Sequence, residues 1–355
     1  MRTSVAIVGA GPAGCAAALT LRRYLPELTV VLVTLPAAAG AVAPAVGETL
    51  SPGALPLLGY LGIQEDFLRA GHLPAGGTAS AWGSEQVFER SYLFTGRGSG
   101  WHLDRFRFDA WLLARAEAAG AQSIRARATR ITRAEGRWLI ELDRREALAA
   151  DAIVDATGRA ASFARQHGSI PQRDDALVAA ARWYEHDRPE LSADGALVET
   201  VVDGWWYSAT LPGQRAVAMF LTDADLFNWT GWDDRLARAP ATRARLASWR
   251  ATGETAVRPA NSQRSIIVTG AGWVAAGDAA AAFDPISSLG IGFSFRSGME
   301  AARVAAAAAE QDDGPSAAYA ASIARIYADY RTRLTAIYRR EGRWPEAPFW
   351  ARRRG

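Results

Sequence analysis

Val5-Ala6-Ile7-Val8-Gly9-Ala10-Gly11-Pro12-Ala13-Gly14-Cys15 begins with four apolar residues, passes through a glycine-rich hexad, and runs on in alanines and leucines at helical spacing to Leu21. The period changes at the glycines, so the stretch reads as strand, tight turn, helix. Gly9 permits the turn, Gly11 lets backbone approach a pyrophosphate, and Gly14 lets helix and strand pack closely, while the helix N-terminus offers N–H groups to phosphate charge. An ordinary glycine-rich turn is the bland alternative. The buried-type strand before the turn and the alanine-rich helix after it favour a dinucleotide on Gly9, Gly11, Pro12, Ala13 and Gly14.

The 355 residues can form one large or two intimate domains. Hydrophobic content of 49% and charged content of 22% are those of a soluble globular protein. No apolar run approaches the roughly 20 residues of a membrane helix. The N-terminus lacks a signal-peptide pattern, so a cytoplasmic protein with no membrane span is expected. One cysteine, Cys15, excludes an internal disulfide, and four histidines without paired spacing argue against a metal. The net charge of +3 is slight and gives no reason to expect nucleic acid. All 40 basic residues are arginine, which removes any mechanism that needs a lysine amine. Arg352-Arg353-Arg354 reads as a solvated tail.

Leu28 to Val33 is a second apolar strand. The acid that often follows such a strand to hold ribose is replaced by Thr34 and Leu35, so ribose recognition has to come from elsewhere. Gly47-Glu48-Thr49 sets a carboxylate and a hydroxyl in a turn, and residues 71–100 read as strands joined by turns. Arg105, before a helix over Ala110 to Ala119, offers a fixed guanidinium fork for phosphate or sugar oxygens. Ile131, Trp138, Ile140 and Leu142 lie in β-patterned runs, and the strand ending at Asp155-Ala156-Thr157-Gly158 returns the chain to the first sheet. Between 160 and 265, β-rich runs at Val178 to Tyr184, Leu197 to Val202, Trp205 to Leu211 and Ala216 to Thr222 suggest an inserted antiparallel sheet. Its Trp205, Trp206, Tyr207 and Phe220 could wall a flat substrate. A last buried strand ends at Gly277-Asp278, where open α/β sheets bind ligands. Asp284-Pro285 to Gly290-Ile291-Gly292 leads into a helix from Phe293. A final helix, Pro315 to about Arg340, repeats Tyr319, Ile323, Ile326, Tyr330, Leu334 and Ile337 as an apolar face.

Five motifs stand in a fixed order: Gly9-x-Gly11-x-x-Gly14, Gly47-Glu48-Thr49, Arg105, Asp155-Ala156-Thr157-Gly158, and Gly277-Asp278 with Asp284-Pro285. Together they resemble FAD-dependent monooxygenases of the glutathione-reductase-like FAD fold, in particular the tryptophan-halogenase-like branch and its non-halogenating relatives. The expected architecture is α/β, an FAD-binding Rossmann-like domain with an inserted antiparallel-sheet substrate domain and a C-terminal helix. Its parts would be the first FAD-binding part at 1–159, with substrate-side strands near 71–100, the substrate domain at 160–265, the second FAD-binding part at 266–314, and the C-terminal helix and basic tail at 315–355.

The resemblance implies FAD as cofactor, its pyrophosphate on Gly9, Gly11 and Gly14. Gly47, Glu48 and Thr49 would line the flavin, Arg105 would reach phosphate or ribityl oxygens, and Ile131 would meet adenine. Gly277 and Asp278 would bind the ribityl chain, and Pro285, Gly290 and Ile291 would cover one edge of the ring. Asp203-Gly204-Trp205-Trp206-Tyr207 is similar to a halogenase signature, with tyrosine in place of its second tryptophan. Halogenases of this branch use a lysine that this chain lacks, which disfavours halogenation. Some relatives hydroxylate tryptophan side chains of partner proteins.

The implied reaction is hydroxylation of an electron-rich indole or phenol, free or carried on a peptide. Electrons would come from NAD(P)H or from a separate flavin reductase, and Glu48, His102 and Asp284 are candidate bases. A flavin-dependent reductase or dehydrogenase of the same fold is the alternative enzyme. A non-catalytic FAD-fold maturation partner is the alternative from another class.

Overall fold

A computed structural model describes residues 1–36, 46, 49–92, 98–143, 146–186 and 195–354. The strand Arg2–Val8 lies inside an eight-stranded sheet, with Val30–Thr34 on one side and Leu148–Asp155 on the other, both parallel to it. Val5, Ala6 and Ile7 are fully buried, as expected of a strand covered on both faces. In register, Val8 stands beside Val33 and Asp155, and Asp155 beside Ala275 of the strand Trp273–Ala275. The C-terminal ends of four strands are thereby gathered at one edge. The hairpin Ala128–Ala134/Arg137–Leu142 joins the other half of Leu148–Asp155 antiparallel.

The helix Pro12–Tyr24 starts with proline at its first position, where the missing N–H costs nothing. Its alanines admit the helix Gly290–Ala309 so closely that a Cβ on Gly298 would lie 2.3 Å from the Ala13 carbonyl oxygen. Helix Gly290–Ala309 therefore takes Gly290, Ile291 and Gly292 into its first turn, three residues earlier than the sequence suggests. Helix Arg105–Ala118 also starts early, because the Asp104 side chain accepts the N–H of Arg107 at 3.1 Å and caps it.

A second, seven-stranded sheet contains the four β-rich runs, observed as Leu177–Glu185, Ala196–Val201, Gly204–Leu211 and Arg215–Asp223. Its pairings are antiparallel except one. Strand Ala196–Val201 runs parallel to Gly77–Ala81, which continues into the edge strand Phe88–Ser91. Strands from both sides of the sequence thus share one sheet.

The long helix Gly314–Arg339 buries Tyr319, Ile323, Tyr327, Tyr330, Leu334 and Tyr338. This face is turned one position from the expected one at two places, so Ile326 and Ile337 look out from it, half-buried. Tyrosine is preferred inside because its hydroxyl meets buried polar groups. Tyr319 donates to the Ala275 carbonyl at 2.7 Å, and the Tyr330 oxygen accepts from the Asp284 N–H at 2.8 Å. Among the described residues no helix is long and apolar enough to cross a membrane.

Candidate functional site

The glycine loop and the Asp155-Ala156-Thr157-Gly158 turn form one packed unit. Gly9 has φ +110°, and a Cβ there would lie 2.1 Å from the Ala156 carbonyl oxygen; one on Gly14 would lie 1.9 Å from that of Gly9. Neither position accepts a side chain. Asp155 is wholly buried and holds the turn, with Oδ1 accepting the Thr157 hydroxyl at 2.6 Å and backbone N–H at 3.0 Å, and Oδ2 accepting the Ala164 N–H at 2.8 Å. Burial raises its pKa, against the pull of these bonds.

Gly11 differs. Among the described residues a Cβ on it meets nothing within 4 Å, so the space over the helix N-terminus is open. No side chain caps that helix, and its first intrahelical bond, Cys15 N–H to Gly11 carbonyl, leaves the N–H groups of Ala13 and Gly14 ahead of it. Gly277, with φ +60°, packs against the same point, since its Cβ would lie 2.7 Å from that of Ala13. Asp278 therefore arrives beside the helix N-terminus, with 34% of its side chain exposed. Burial raises its pKa, while Arg159 and then Arg105 favour the charged form. Arg105, half-buried at the start of its helix, also pairs with Asp109 at 3.1 Å and donates to the Val46 carbonyl at 3.0 Å.

These features suit a dinucleotide. Uncapped N–H groups and an open glycine can receive two phosphates, and the carboxylate that Gly277 brings beside them can accept sugar hydroxyls. A second open glycine, Gly290, at the N-terminus of the helix Gly290–Ala309, leaves space where a ring can lie. Ile131 is buried in the hairpin opposite Ile140. Gly47 and Glu48 lie outside the described residues.

Arg159 escaped the sequence reading. It lies 3.6 Å from Asp278 and donates to the Asn261 carbonyl at 2.5 Å and the Phe283 carbonyl at 3.3 Å, tying the Asp155 turn to the Asp278 and Asp284 turns. Its place directly after Asp-Ala-Thr-Gly was the only available signal.

The other two candidate bases lie away from open space. His102 is fully buried, its Nδ1 3.4 Å from the Thr49 hydroxyl, which is 2.6 Å from the hydroxyl of Tyr207. Asp284 is buried too. Its Oδ2 accepts the Tyr338 hydroxyl at 2.7 Å and its Oδ1 the Ile286 N–H at 2.9 Å, so it fastens the turn Pro285–Ser287 to the long helix. This corrects its reading as a base acting directly on substrate.

Burial pushes the Asp284 carboxyl up to about 6, although both hydrogen bonds favour its ionised form. The folded protein thus holds a proton there that the unfolded chain releases near pH ~4. We expect stability to fall by up to about 3 kcal/mol as pH rises from ~4 to ~6, and to change no further through this group above that. Asp284→Asn should flatten that slope in urea unfolding; identical slopes in variant and wild type would refute the assignment.

The aromatic residues also divide differently from the expectation. Trp206 and Phe220 lie in a separate core with Trp232, ring centroids 5.1 and 4.8 Å from that of Trp206. Trp205 is buried on the opposite face, donating to the Tyr338 hydroxyl at 3.1 Å. Strand alternation puts neighbours on opposite faces, so Trp205 and Trp206 cannot share a wall. Tyr207, half-buried on Thr49, is the member of the group that remains near the site.

The open space is elsewhere. A cleft of about 2170 Å³ lies between the Ile286–Leu289 turn, the strands Gly77–Ala81 and Phe88–Ser91, and the long helix. Trp82, Leu57, Phe283, Ile326 and Ile337 give it apolar walls. Trp82 is fixed by its indole N–H on the Ile337 carbonyl at 3.0 Å.

The basic C-terminus is structural, contrary to its reading as a solvated tail. Arg353, only 8% of whose side chain is exposed, pairs with the buried Asp223 at 2.5 Å, which Arg352 also reaches at 2.9 Å.

Residues 3–188, more than half of the chain, match the family described as pyridine nucleotide-disulphide oxidoreductase. Over 98% of its length the chain is 30% identical to LodB of Marinomonas mediterranea, named as an FAD-dependent oxidoreductase, and covers 95% of that protein. It superposes along 100% of its length on QhpG, a peptidyl tryptophan dihydroxylase essential for tryptophylquinone cofactor biogenesis, with TM-score 0.80, 26% identity and 79% of QhpG covered. The flavin-dependent halogenase CmlS matches with TM-score 0.86 and 23% identity, over 100% of this chain and 68% of CmlS, and shares the fold. With the motif order, the open glycine cradle and these two sequence matches in agreement, the chain belongs to the FAD-dependent oxidoreductases and its cofactor is FAD.

Proposed function

We propose that this chain is an FAD-dependent monooxygenase that hydroxylates an electron-rich aromatic ring, a tryptophan side chain presented on a polypeptide. The observation that carries the reading is the cleft beside the Ile286–Leu289 turn: at about 2170 Å³, against the roughly 300–1,000 Å³ usual for small-molecule pockets, it has room for a flavin ring and for a side chain carried on a polypeptide beside it. The 26% identity along the whole chain to a peptidyl tryptophan dihydroxylase supports the same substrate class. The absence of lysine weighs against halogenation, since no amine is present to carry a halogen.

Bound FAD, once reduced by the donor, would supply two electrons and activate dioxygen. In balance, one oxygen atom enters an aromatic C–H bond, and the other leaves as water with two electrons and two protons from the donor. The chain's own residues hold and position. The N–H groups of Ala13 and Gly14 would receive the phosphates, Asp278 would accept ribityl hydroxyls, Arg105 and Arg159 would balance charge, and the open Gly290 would leave room for the ring. Trp82, Phe283 and Ile337 exclude water from the incoming aromatic side chain, which keeps the reacting oxygen from being lost to solvent.

The test uses FAD-loaded enzyme, chemically reduced, mixed with a tryptophan-containing peptide under ¹⁸O₂. Mass spectrometry should show one ¹⁸O per hydroxylation in the peptide. A peptide unchanged in mass while reduced cofactor is consumed, or a product that gains hydrogen but no oxygen, would overturn the reading.

A further inference from the structure

The long helix Gly314–Arg339 faces the cleft with a mixed stripe. Ile326, Arg333 and Ile337, followed by Arg340 just past the helix, fall on one side, opposite the buried tyrosines. Across the cleft the edge strand Phe88–Ser91 brings Glu89 and Arg90, the helix Pro240–Leu246 brings Arg245, and Arg296 comes from the helix Gly290–Ala309. Five arginines therefore line the cavity, and Glu89 is the sole carboxylate among its described lining residues.

Two of the five are already engaged. Arg296 pairs with Glu300 at 2.9 Å, and Arg245 donates to the Gly195 carbonyl at 2.6 Å. Arg90, Arg333 and Arg340 are exposed and make no ion pair with any described residue. Elsewhere the chain places arginine against carboxylate repeatedly, as Arg352 and Arg353 are placed against Asp223. Cations of one sign around a cavity with apolar walls focus their field inside it, attract anionic groups and repel cationic ones.

We propose that this cleft is the docking groove for an extended segment of a partner polypeptide in which acidic residues flank the aromatic side chain, the carboxylates resting on Arg90, Arg333 and Arg340. The aromatic group lies between them against Trp82 and Ile337. The inference deepens the polypeptide-substrate reading and rests on it. A second copy of the chain is a poor occupant, because it carries net charge +3 itself.

The test is fluorescence anisotropy of labelled peptides with a central tryptophan flanked by glutamate, glutamine or lysine, added to oxidised FAD-loaded enzyme. The glutamate peptide should bind about 10-fold or more tightly than the glutamine peptide at low salt, the lysine peptide weakest, with the preference collapsing at high salt. The triple variant R90Q/R333Q/R340Q should bring glutamate and glutamine peptides within about 2-fold of each other. Equal affinities on wild type, or an undiminished preference in a natively folded triple variant, would overturn the proposal. So would sedimentation showing self-association that the triple variant abolishes. Binding is read without electrons or oxygen, so the two proposals fail separately. A peptide that docks with the charge preference yet gains no oxygen sinks the hydroxylase reading alone, whereas a glutamine peptide bound and oxygenated as well as the glutamate peptide sinks the docking rule alone.

Discussion

Gly11→Asp is expected to yield a folded, colourless protein. Gly11 sits at the N-cap with φ −75° and ψ −174°, extended backbone that aspartate adopts without strain, and its Cβ would enter open space. Aspartate is among the preferred N-cap residues, so the new side chain can accept first-turn N–H groups and hold the cofactor-free fold at least as stable as before. The same carboxylate then stands where a phosphate has to rest. At ~4 Å and an effective dielectric of about 20, one such repulsion costs about 4 kcal/mol, which weakens FAD binding by about a thousandfold. Circular dichroism should be native, and the thermal midpoint should match that of FAD-stripped wild type. Gly14→Ala is the control in the opposite sense: its Cβ would lie 1.9 Å from the Gly9 carbonyl oxygen, so it should damage the fold itself. Retention of full yellow colour by Gly11→Asp would show that phosphate does not rest there.

What could be read from the sequence was what is local. The glycine spacing, the buried apolar strand and the alanine helix are decided within a few residues of each other. The same is true of the four β-rich runs, which were placed within one or two residues of their observed limits. Pairings across long stretches of chain leave no such trace. Nothing in Gly77–Ala81 announces that it joins Ala196–Val201 in parallel, and nothing in Arg159 announces that it supports turns more than a hundred residues away. The aromatic cluster misled for a related reason. Composition gave Trp205, Trp206 and Phe220 as a group, but alternation along a strand divides such a group between two faces, and the position of a cleft depends on which face lacks a covering layer. The half-turned tyrosine face of the last helix was hidden because its buried hydrogen-bond partners belong to distant segments.

Asp223→Ala should destabilise the protein by about 3–5 kcal/mol, more than the loss of either arginine it holds. Asp223 is buried, Arg353 meets its carboxylate at 2.5 and 3.1 Å, and Arg352 adds a third bond at 2.9 Å. Removing the acid leaves the buried Arg353 guanidinium without a counter-charge, which is the costly way to break such a pair. Removing Arg353 leaves the carboxylate with Arg352, and removing Arg352 costs least because it keeps to the surface and also binds Asp225. The expected order of loss is therefore Asp223→Ala, then Arg353→Met, then Arg352→Ala. The effect reaches the cofactor side by contact. Arg353 lies over the rings of Phe349 and Tyr338, and Tyr338 holds Asp284 at the turn beside the cleft. Urea unfolding of the three variants measures the order directly. Equal, small losses would mean that the basic end is a free tail after all, available to an acidic partner.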